Sequence, residues 1–324
     1  MTYRVAAIFL AASLVAIESA SGCLAQSTEH MTPTEAKIPA GNTTLYTRAV
    51  GKGTPIIVLH GGPDFDSGYL LPELDRLGSG YRLIYYDQRG RGKSVENVNS
   101  DDVTLTSDLE DIDRVISFYK IEKPILLGHS WGAVLALEYA VRHPERISRL
   151  ILMNPAPVSA TDLAEVRKKY LERLGTAMDQ QREIVASEAY KSGDPETVAA
   201  RYRIHFKPSL KHPADYEKMM ERMKAGFVSQ GKEGIIKARA VEDRLMLDTW
   251  SIPEYDLSPK LRQLKMPTLV IAGDHDFMSL AADRIAGVIP RAKLVTIKDC
   301  GHFAFLECPK EVRRSLDTFV KQRH

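Results

Sequence analysis

The chain has 324 residues, and its 44 lysine and arginine residues nearly balance 42 aspartate and glutamate residues, for a formal net charge of +2. This balance gives no support for a nucleic-acid-binding surface, which is normally strongly basic. The hydrophobic fraction of 44% and the charged fraction of 27% are ordinary for a globular protein. The length suggests one large domain, or a domain with an insertion.

The first 25 residues have the pattern of a secretory signal peptide. Arg4 supplies a positive charge, residues 5–17 form an apolar run, and small residues follow. Two processing sites are open. Residues 20–23, Ala-Ser-Gly-Cys, resemble a bacterial lipobox that would anchor the protein through a lipid on Cys23, whereas cleavage after Ala25 would release it. We therefore expect an exported protein, periplasmic or lipid-anchored to a bacterial membrane, or alternatively secreted.

The rest of the chain is organised as a tether, a core and an insertion. Residues 26–41 are mostly small and polar and predict a tether. Short apolar segments alternate with helical ones over residues 42–156 and 263–324, which predicts an α/β fold with a mostly parallel sheet covered by helices on both faces. Residues 157–262 lack a strong apolar strand and contain charged helical stretches, which predicts a helical cap inserted between two strands. The predicted strands cover residues 44–50, 55–59, 81–86, 124–128, 150–153, 267–272 and 293–297.

Ser130 lies in the pentapeptide Gly-His-Ser-Trp-Gly, between a predicted strand and a predicted helix. A Gly-x-Ser-x-Gly motif in this context is a nucleophile elbow, a sharp turn that exposes the serine hydroxyl at the N-terminus of a helix. The partial positive charge of that helix end favours an oxyanion. Ser130 is therefore the candidate nucleophile of an acyl-transfer enzyme.

A serine hydroxyl is a weak nucleophile until a base takes its proton, and the base is usually a histidine oriented by a carboxylate. In elbow-type hydrolases these groups follow in the order serine, acid, histidine. His302 follows the last predicted strand, so it is the candidate base. Asp274 and Asp276 both follow the preceding strand, and the order of the groups leaves both open as the acid.

A loop after the predicted strand 55–59 has the composition of an oxyanion hole. Residues 60–63 read His-Gly-Gly-Pro. An oxyanion hole needs backbone N–H groups aimed at the developing alkoxide. We expect the N–H groups of Gly62 and Trp131 to provide them.

These motifs together resemble the α/β-hydrolase superfamily. Residues 87–94 look like its loop after a central strand, and residues 300–309 look like its closing histidine loop. The resemblance implies Asp276 as the acid, because that superfamily places the acid at the fourth position of this Gly-x-x-Asp turn. Asp274 is then a turn-forming residue.

The combination of His-Gly-Gly-Pro, Asp-Gln-Arg-Gly and Ser-Trp-Gly is similar to that of proline iminopeptidases. Enzymes of that family remove an N-terminal proline and hold its amine with carboxylates from the cap. The sequence departs from their pattern at two positions. Asp64 follows the Pro of the loop where another glycine is usual, and His129 occupies the second position of the elbow, where that family usually has glycine.

The resemblance implies a serine hydrolase that forms an acyl-enzyme intermediate and cleaves small amides or N-terminal residues of peptides. In the cap, Glu242, Asp243 and Asp248, with Glu254, are candidates to bind a substrate ammonium; the alternative for each is a solvated helix face. A carboxylesterase or lactonase is the alternative function, and a non-catalytic binding protein on a hydrolase scaffold is a remote one. The expected partner is a small molecule or short peptide. No cofactor or metal is expected, because zinc-type ligand spacing is absent.

Two cysteines, Cys300 and Cys308, flank His302. In the oxidising compartment that an exported protein enters, they would form a disulfide or remain as two buried thiols. The sequence leaves both open, because it does not show whether the sulfur atoms can meet.

Overall fold

The structure, a computed structural model, describes residues 32–322. The proposed signal peptide and Cys23 lie outside the described residues. Eight strands form one sheet: β1 (Thr34–Ala40), β2 (Thr43–Val50), β3 (Thr54–Leu59), β4 (Tyr81–Tyr86), β5 (Ile125–His129), β6 (Arg149–Met153), β7 (Thr268–Gly273) and β8 (Ala292–Ile297). Their order across the sheet is β1-β2-β4-β3-β5-β6-β7-β8. The first two strands are antiparallel to their neighbours and the others are parallel.

The helices surround this sheet. They are α1 (Leu105–Phe118), α2 (Trp131–Arg142), α3 (Ala160–Leu174), α4 (Ala177–Ala186), α5 (Glu188–Lys191), α6 (Pro195–Phe206), α7 (Pro213–Leu247), α8 (Ser258–Leu261), α9 (Ser279–Val288), α10 (Ala304–Glu307) and α11 (Pro309–Lys321). Helix α7 is interrupted by a non-helical residue, Gly231. None of the helices in residues 32–322 has the length and apolarity that a membrane crossing requires.

Alternate side chains of β3 enter opposite layers of the core. Ile56 and Val58 join a cluster that includes α11, whereas Ile57 and Leu59 join a cluster that includes α1, α2 and α9. A sheet buried on both faces needs apolar residues at successive positions, as the sequence of β3 provides. The α/β fold with a mostly parallel sheet and helices on both faces is thus confirmed.

Strand β1 corrects the prediction of a tether over residues 26–41. Thr34–Ala40 pairs with β2, and the side chain of Ile38 is buried opposite Leu45. The strand escapes recognition because it lies at the edge of the sheet, where only Ile38 and Ala40 are fully buried. Two apolar side chains in alternation are a weak signal beside the continuous apolar runs of the central strands.

Helices α3 to α8 lie between β6 and β7, in the segment for which the sequence predicts a cap. They do not form an isolated layer. Val198 of α6 and both Met219 and Phe227 of α7 join the same apolar cluster as the side chains of β3 and α11. This packing brings α6 and α7 over the carboxyl end of the sheet, where ligands bind in open α/β folds.

Candidate active site

Ser130 lies at the tip of a sharp turn between β5 and α2. Its backbone angles, φ 54° and ψ −118°, are unusual for a residue with a side chain. The two flanking glycines make the turn sterically feasible. A Cβ atom on Gly128 would lie 2.2 Å from the carbonyl oxygen of Gly132, and one on Gly132 would lie 2.1 Å from that of Leu59. The elbow therefore has the geometry that its sequence predicts.

His302 and Asp276 lie side by side at the carboxyl ends of neighbouring strands. Nδ1 of His302 is 2.9 Å from Oδ2 of Asp276, and both side chains are buried. Burial alone would raise the pKa of Asp276. The neighbouring His302 and the hydrogen bonds to the carboxylate reverse this effect and hold its pKa below the ordinary value. Asp276 is therefore a stable anion that orients the imidazole ring.

Asp274, the competing candidate for the acid, lies elsewhere in the turn. Its side chain is exposed, and one carboxylate oxygen accepts a hydrogen bond from the N–H of Cys300 at 3.4 Å. This contact links the turn after β7 to the loop that carries His302. The structure thus pairs His302 with Asp276.

Asn154 is a buried site residue that the sequence analysis misses. Its Nδ2 donates to Oδ2 of Asp276 at 2.9 Å and to the carbonyl oxygen of Gly301 at 3.1 Å. It therefore connects the acid to the loop of the histidine. The one signal in the sequence is its position, because Asn154 directly follows β6 at the same sheet edge as Ser130.

A cavity of about 80 Å³ is lined by Ser130 and His302 together. Gly62 of the His-Gly-Gly-Pro loop lines it as well. Trp131 is the first residue of α2, and its side chain packs edge-on against Trp250, with the ring centroids 5.3 Å apart. Within residues 32–322, the backbone N–H groups of Gly62 and Trp131 have no hydrogen-bond acceptor. Of these two residues, Gly62 lines the cavity, whereas Trp131 is not among its lining residues.

The cap side of this cavity carries charge. Glu242 of α7, Arg201 of α6 and Asp64 all line it. Burial and repulsion from Asp64 raise the pKa of Glu242 to about 8. Asp64 accepts a hydrogen bond from the hydroxyl of Tyr202, and burial nevertheless raises its pKa. The guanidinium of Arg201 stacks over the ring of Tyr202, 4.3 Å from the centroid.

Of the carboxylates proposed to bind a substrate ammonium, only Glu242 reaches the cavity. Asp243, the next residue of α7, is exposed, and so is Glu254. Asp248 accepts hydrogen bonds from the N–H of Leu105 at 2.8 Å and from Nη1 of Arg244 at 2.7 Å. It therefore stabilises the first turn of α1 and does not act as a substrate ligand. Asp64 reaches the cavity instead, and in the sequence it appears only as a departure from the family pattern.

The loop that carries His302 is closed by a disulfide between Cys300 and Cys308, whose Cα atoms are 6.2 Å apart. The sequence leaves open a disulfide or two buried thiols, and the structure has the disulfide. The carboxylate of Glu307 further supports the loop by accepting hydrogen bonds from the N–H groups of Gly301 at 2.8 Å and Lys211 at 2.6 Å. In the described part of the chain, no three His, Cys, Asp or Glu side chains are grouped so as to hold a metal ion.

The model of a protein family described as alpha/beta hydrolase fold matches residues 54–309. The chain belongs to this α/β-hydrolase family. It is 26% identical to the proline iminopeptidase of Saccharolobus solfataricus over 281 residues, which cover 86% of this chain and 88% of the relative. The resemblance to proline iminopeptidases is thus confirmed, and the chain is an α/β-hydrolase enzyme.

Solved structures of other hydrolases share its fold. A proline iminopeptidase-related protein from Thermus thermophilus superposes with a TM-score of 0.66 at 24% identity, covering 90% of this chain and 98% of that protein. The esterase RhEst1 from Rhodococcus sp. ECU1013 superposes with a TM-score of 0.68 at 23% identity, covering 90% of this chain and 99% of the esterase. At these identities the likeness is one of fold.

Proposed function

We propose that this enzyme is a serine hydrolase that removes the N-terminal residue from short peptides or small amides. The observation that carries the proposal is that one small cavity is lined by Ser130, by His302 and by the cap carboxylate Glu242. The nucleophile, the base and a group that can hold a substrate amine thus face the same space. The similarity to a protein named proline iminopeptidase over 86% of the chain supports the same assignment.

In the proposed mechanism, Ser130 Oγ attacks the scissile carbonyl while Nε2 of His302 takes the hydroxyl proton. Asp276 holds the Nδ1 side of the ring at 2.9 Å, which leaves Nε2 for the serine and stabilises the imidazolium that forms. The N–H groups of Gly62 and Trp131 donate to the tetrahedral oxyanion. The C–N bond then breaks, the amine leaves with the proton from His302, and water hydrolyses the acyl-enzyme by the same route.

The charges of the cavity support a substrate with an ammonium group. When both carboxylates are ionised, Asp64 and Glu242 carry two negative charges, and Arg201 balances one of them. A substrate ammonium would balance the other. Because a buried charge without a partner is costly, an amine that pairs with Glu242 gains binding energy there that a neutral substrate does not.

A carboxylesterase or lactonase is the second candidate. The pKa of about 8 for Glu242 favours it, because a protonated Glu242 leaves the cavity neutral at pH 7 and suited to an uncharged ester. Both reactions pass through the same oxyanion, so the catalytic groups do not distinguish them. The choice between the two depends on whether a substrate amine contributes to turnover.

The test is a turnover assay with three substrates: a prolyl arylamide with a free amine, its N-acylated form, and a short-chain aryl ester. We expect cleavage of the free prolyl amide and its loss on acylation. Ser130→Ala should lower kcat at least about a thousand-fold without unfolding the protein. Ser117→Ala, at an exposed position of α1, is the matched control. Turnover that persists in Ser130→Ala would refute the serine mechanism, and cleavage of the ester alone would identify an esterase.

A further inference from the structure

We propose that Tyr69 and His129 are positioning residues. Through one continuous chain of hydrogen bonds they link the oxyanion loop, residues 60–63, to the loop that carries His302, the proposed base. The proposal rests on the proposed function, because it gives this chain a role in the reaction at Ser130. It concerns two residues outside the serine, histidine and aspartate of that mechanism.

The chain consists of three short contacts in the buried interior. The N–H of Gly61 donates to Oη of Tyr69 at 2.7 Å. Oη of Tyr69 is 2.7 Å from Nδ1 of His129, and Nε2 of His129 is 3.0 Å from the carbonyl oxygen of His302. Tyr69 is 4% exposed and His129 is 1% exposed, so bulk water has little access to these contacts, and both residues line the cavity beside Ser130.

The two ends of the chain fix the position of every proton in it. A backbone N–H can only donate, and a carbonyl oxygen can only accept. Nε2 of His129 must therefore carry a proton to bond the carbonyl of His302. Nδ1 then accepts from the hydroxyl of Tyr69, which in turn accepts from Gly61. Burial, with a further contribution from His302, lowers the pKa of His129 to about 3, so the ring stays neutral and the pattern is stable near neutral pH.

One end of the chain sets the shape of the oxyanion loop. Tyr69 engages the N–H of Gly61, and the next residue is Gly62, whose N–H is the proposed oxyanion donor. Gly61 also packs directly on the nucleophile, since a Cβ atom there would lie 3.0 Å from Cβ of Ser130 and 2.9 Å from Oη of Tyr69. A small displacement of this loop would therefore change the distance between the oxyanion donor and Ser130.

The other end holds the main chain of His302, whose side chain takes the serine proton. The hydrogen bonds run through His129, the residue directly before Ser130. They therefore connect the two loops that lie on either side of the nucleophile. This gives a reason for the departure from glycine at position 129, because glycine has no side chain to complete the chain. Holding reacting groups in register is worth a large factor in rate, and a displacement of about 1 Å can cost about a hundred-fold.

Packing is the competing explanation. The rings of Tyr69 and His129 also contact Phe303 and Phe305, with centroid separations between 5.4 and 6.1 Å. Tyr69→Phe separates the two explanations, because it keeps the ring and removes only the hydroxyl. Tyr139→Phe is the matched control, since Tyr139 is fully buried in α2 and its hydroxyl donates to Asp113 at 2.6 Å, remote from these loops.

We expect Tyr69→Phe to lower kcat about ten- to a hundred-fold while KM changes less than about three-fold. The affinity for an aryl boronic acid, which forms a tetrahedral adduct with Ser130, should fall by the same factor as kcat/KM. The affinity for a small amine that occupies the cavity without reacting should not change. A loss of packing would instead lower the melting temperature and leave the ratio of the two affinities unchanged.

His129→Asn is the second variant, because its side chain keeps an acceptor near the position of Nδ1 and loses the donor to His302. The double variant, Tyr69→Phe with His129→Asn, should have a kcat no lower than that of the less active single variant. Both changes interrupt the same chain of hydrogen bonds, so their effects should not add. A kcat for Tyr69→Phe or for His129→Asn within about two-fold of that of Tyr139→Phe would overturn the proposal. Ser130→Ala is assayed alongside. If it is inactive, the serine mechanism of the proposed function stands whatever the result for Tyr69, and if it is active, the proposed function itself fails.

Discussion

Glu242 faces Asp64 across the catalytic cavity, and its raised pKa of about 8 gives the enzyme a pH dependence that can be measured. Below pH 8 the side chain is mostly protonated and cannot pair with an ammonium. As the pH rises through 8 it ionises and the pairing becomes favourable. For a non-hydrolysed amine inhibitor that stays charged up to about pH 10, we expect Ki to fall about ten-fold per pH unit between about pH 6 and pH 8 and then to level off.

Glu242→Gln should remove this slope, because an amide does not ionise, and should raise KM for the free prolyl amide about ten-fold or more. Its effect on an aryl ester without an amine should be small. Glu254→Gln, at an exposed position of the cap, removes the same charge outside the cavity and should change neither quantity. A slope that persists in Glu242→Gln would assign the titration to another group.

Which site residues can be found in the sequence depends on how they reach the cavity. Ser130, Asp276 and His302 each follow a strand of the parallel sheet, and strand ends meet at one edge, so order along the chain predicts their meeting. Asp64 and Tyr69 reach the cavity through the path of a loop that no periodicity describes. In the sequence, Glu242 is one of several cap carboxylates that look equally suitable. Only the packing of α7 shows that Glu242 is the one that reaches the cavity.

Among the secondary-structure elements and loops, the loop that carries His302 is stabilised by a covalent bond, the disulfide. Cys300 and Cys308 are eight residues apart and close the segment that carries His302. Closing so short a loop restricts the unfolded chain by about 2–3 kcal/mol. Replacing both cysteines by alanine should lower the free energy of unfolding by about this amount, as measured by denaturant titration.

The oxidised wild-type protein treated with a thiol reductant should approach the stability of that double variant. The bond itself is checked by alkylation without reductant, followed by mass spectrometry. Two alkylated cysteines in the native protein would show that the bridge is absent.

Central strands were predictable to within about two residues at each end, because burial on both faces demands continuous apolar runs. For example, β4 was expected at residues 81–86 and is found at Tyr81–Tyr86. Strand β1 was not predicted, since an edge strand that is buried on one face leaves only two inward side chains. The cap could be recognised as helical, but the interruption of α7 at Gly231 depends on a backbone angle that composition does not fix.

For the whole molecule, we propose export through the N-terminal segment, followed by lipidation of Cys23 or release after Ala25. Strand β1, the first element that the structure describes, begins at Thr34, beyond both processing sites. Protein lacking residues 1–25 should therefore keep its fold and its turnover. In a bacterial host, wild-type protein should incorporate labelled fatty acid and fractionate with membranes, and Cys23→Ser should do neither. A mature N-terminus at Gln26 would show release instead.

The volume of the catalytic cavity, about 80 Å³, bears on what the enzyme leaves intact. Sites for drug-sized ligands occupy about 300–1,000 Å³, so this cavity is small even for a short peptide. A bond inside a folded protein has chain on both sides, and we expect so small a cavity beside Ser130 to disfavour it. On the proposed function, and with the export proposed above, we expect the enzyme to need no inhibitor or inactive precursor to protect the proteins around it. On the proposed function, we expect the narrow cavity to favour free chain ends over bonds inside a folded protein.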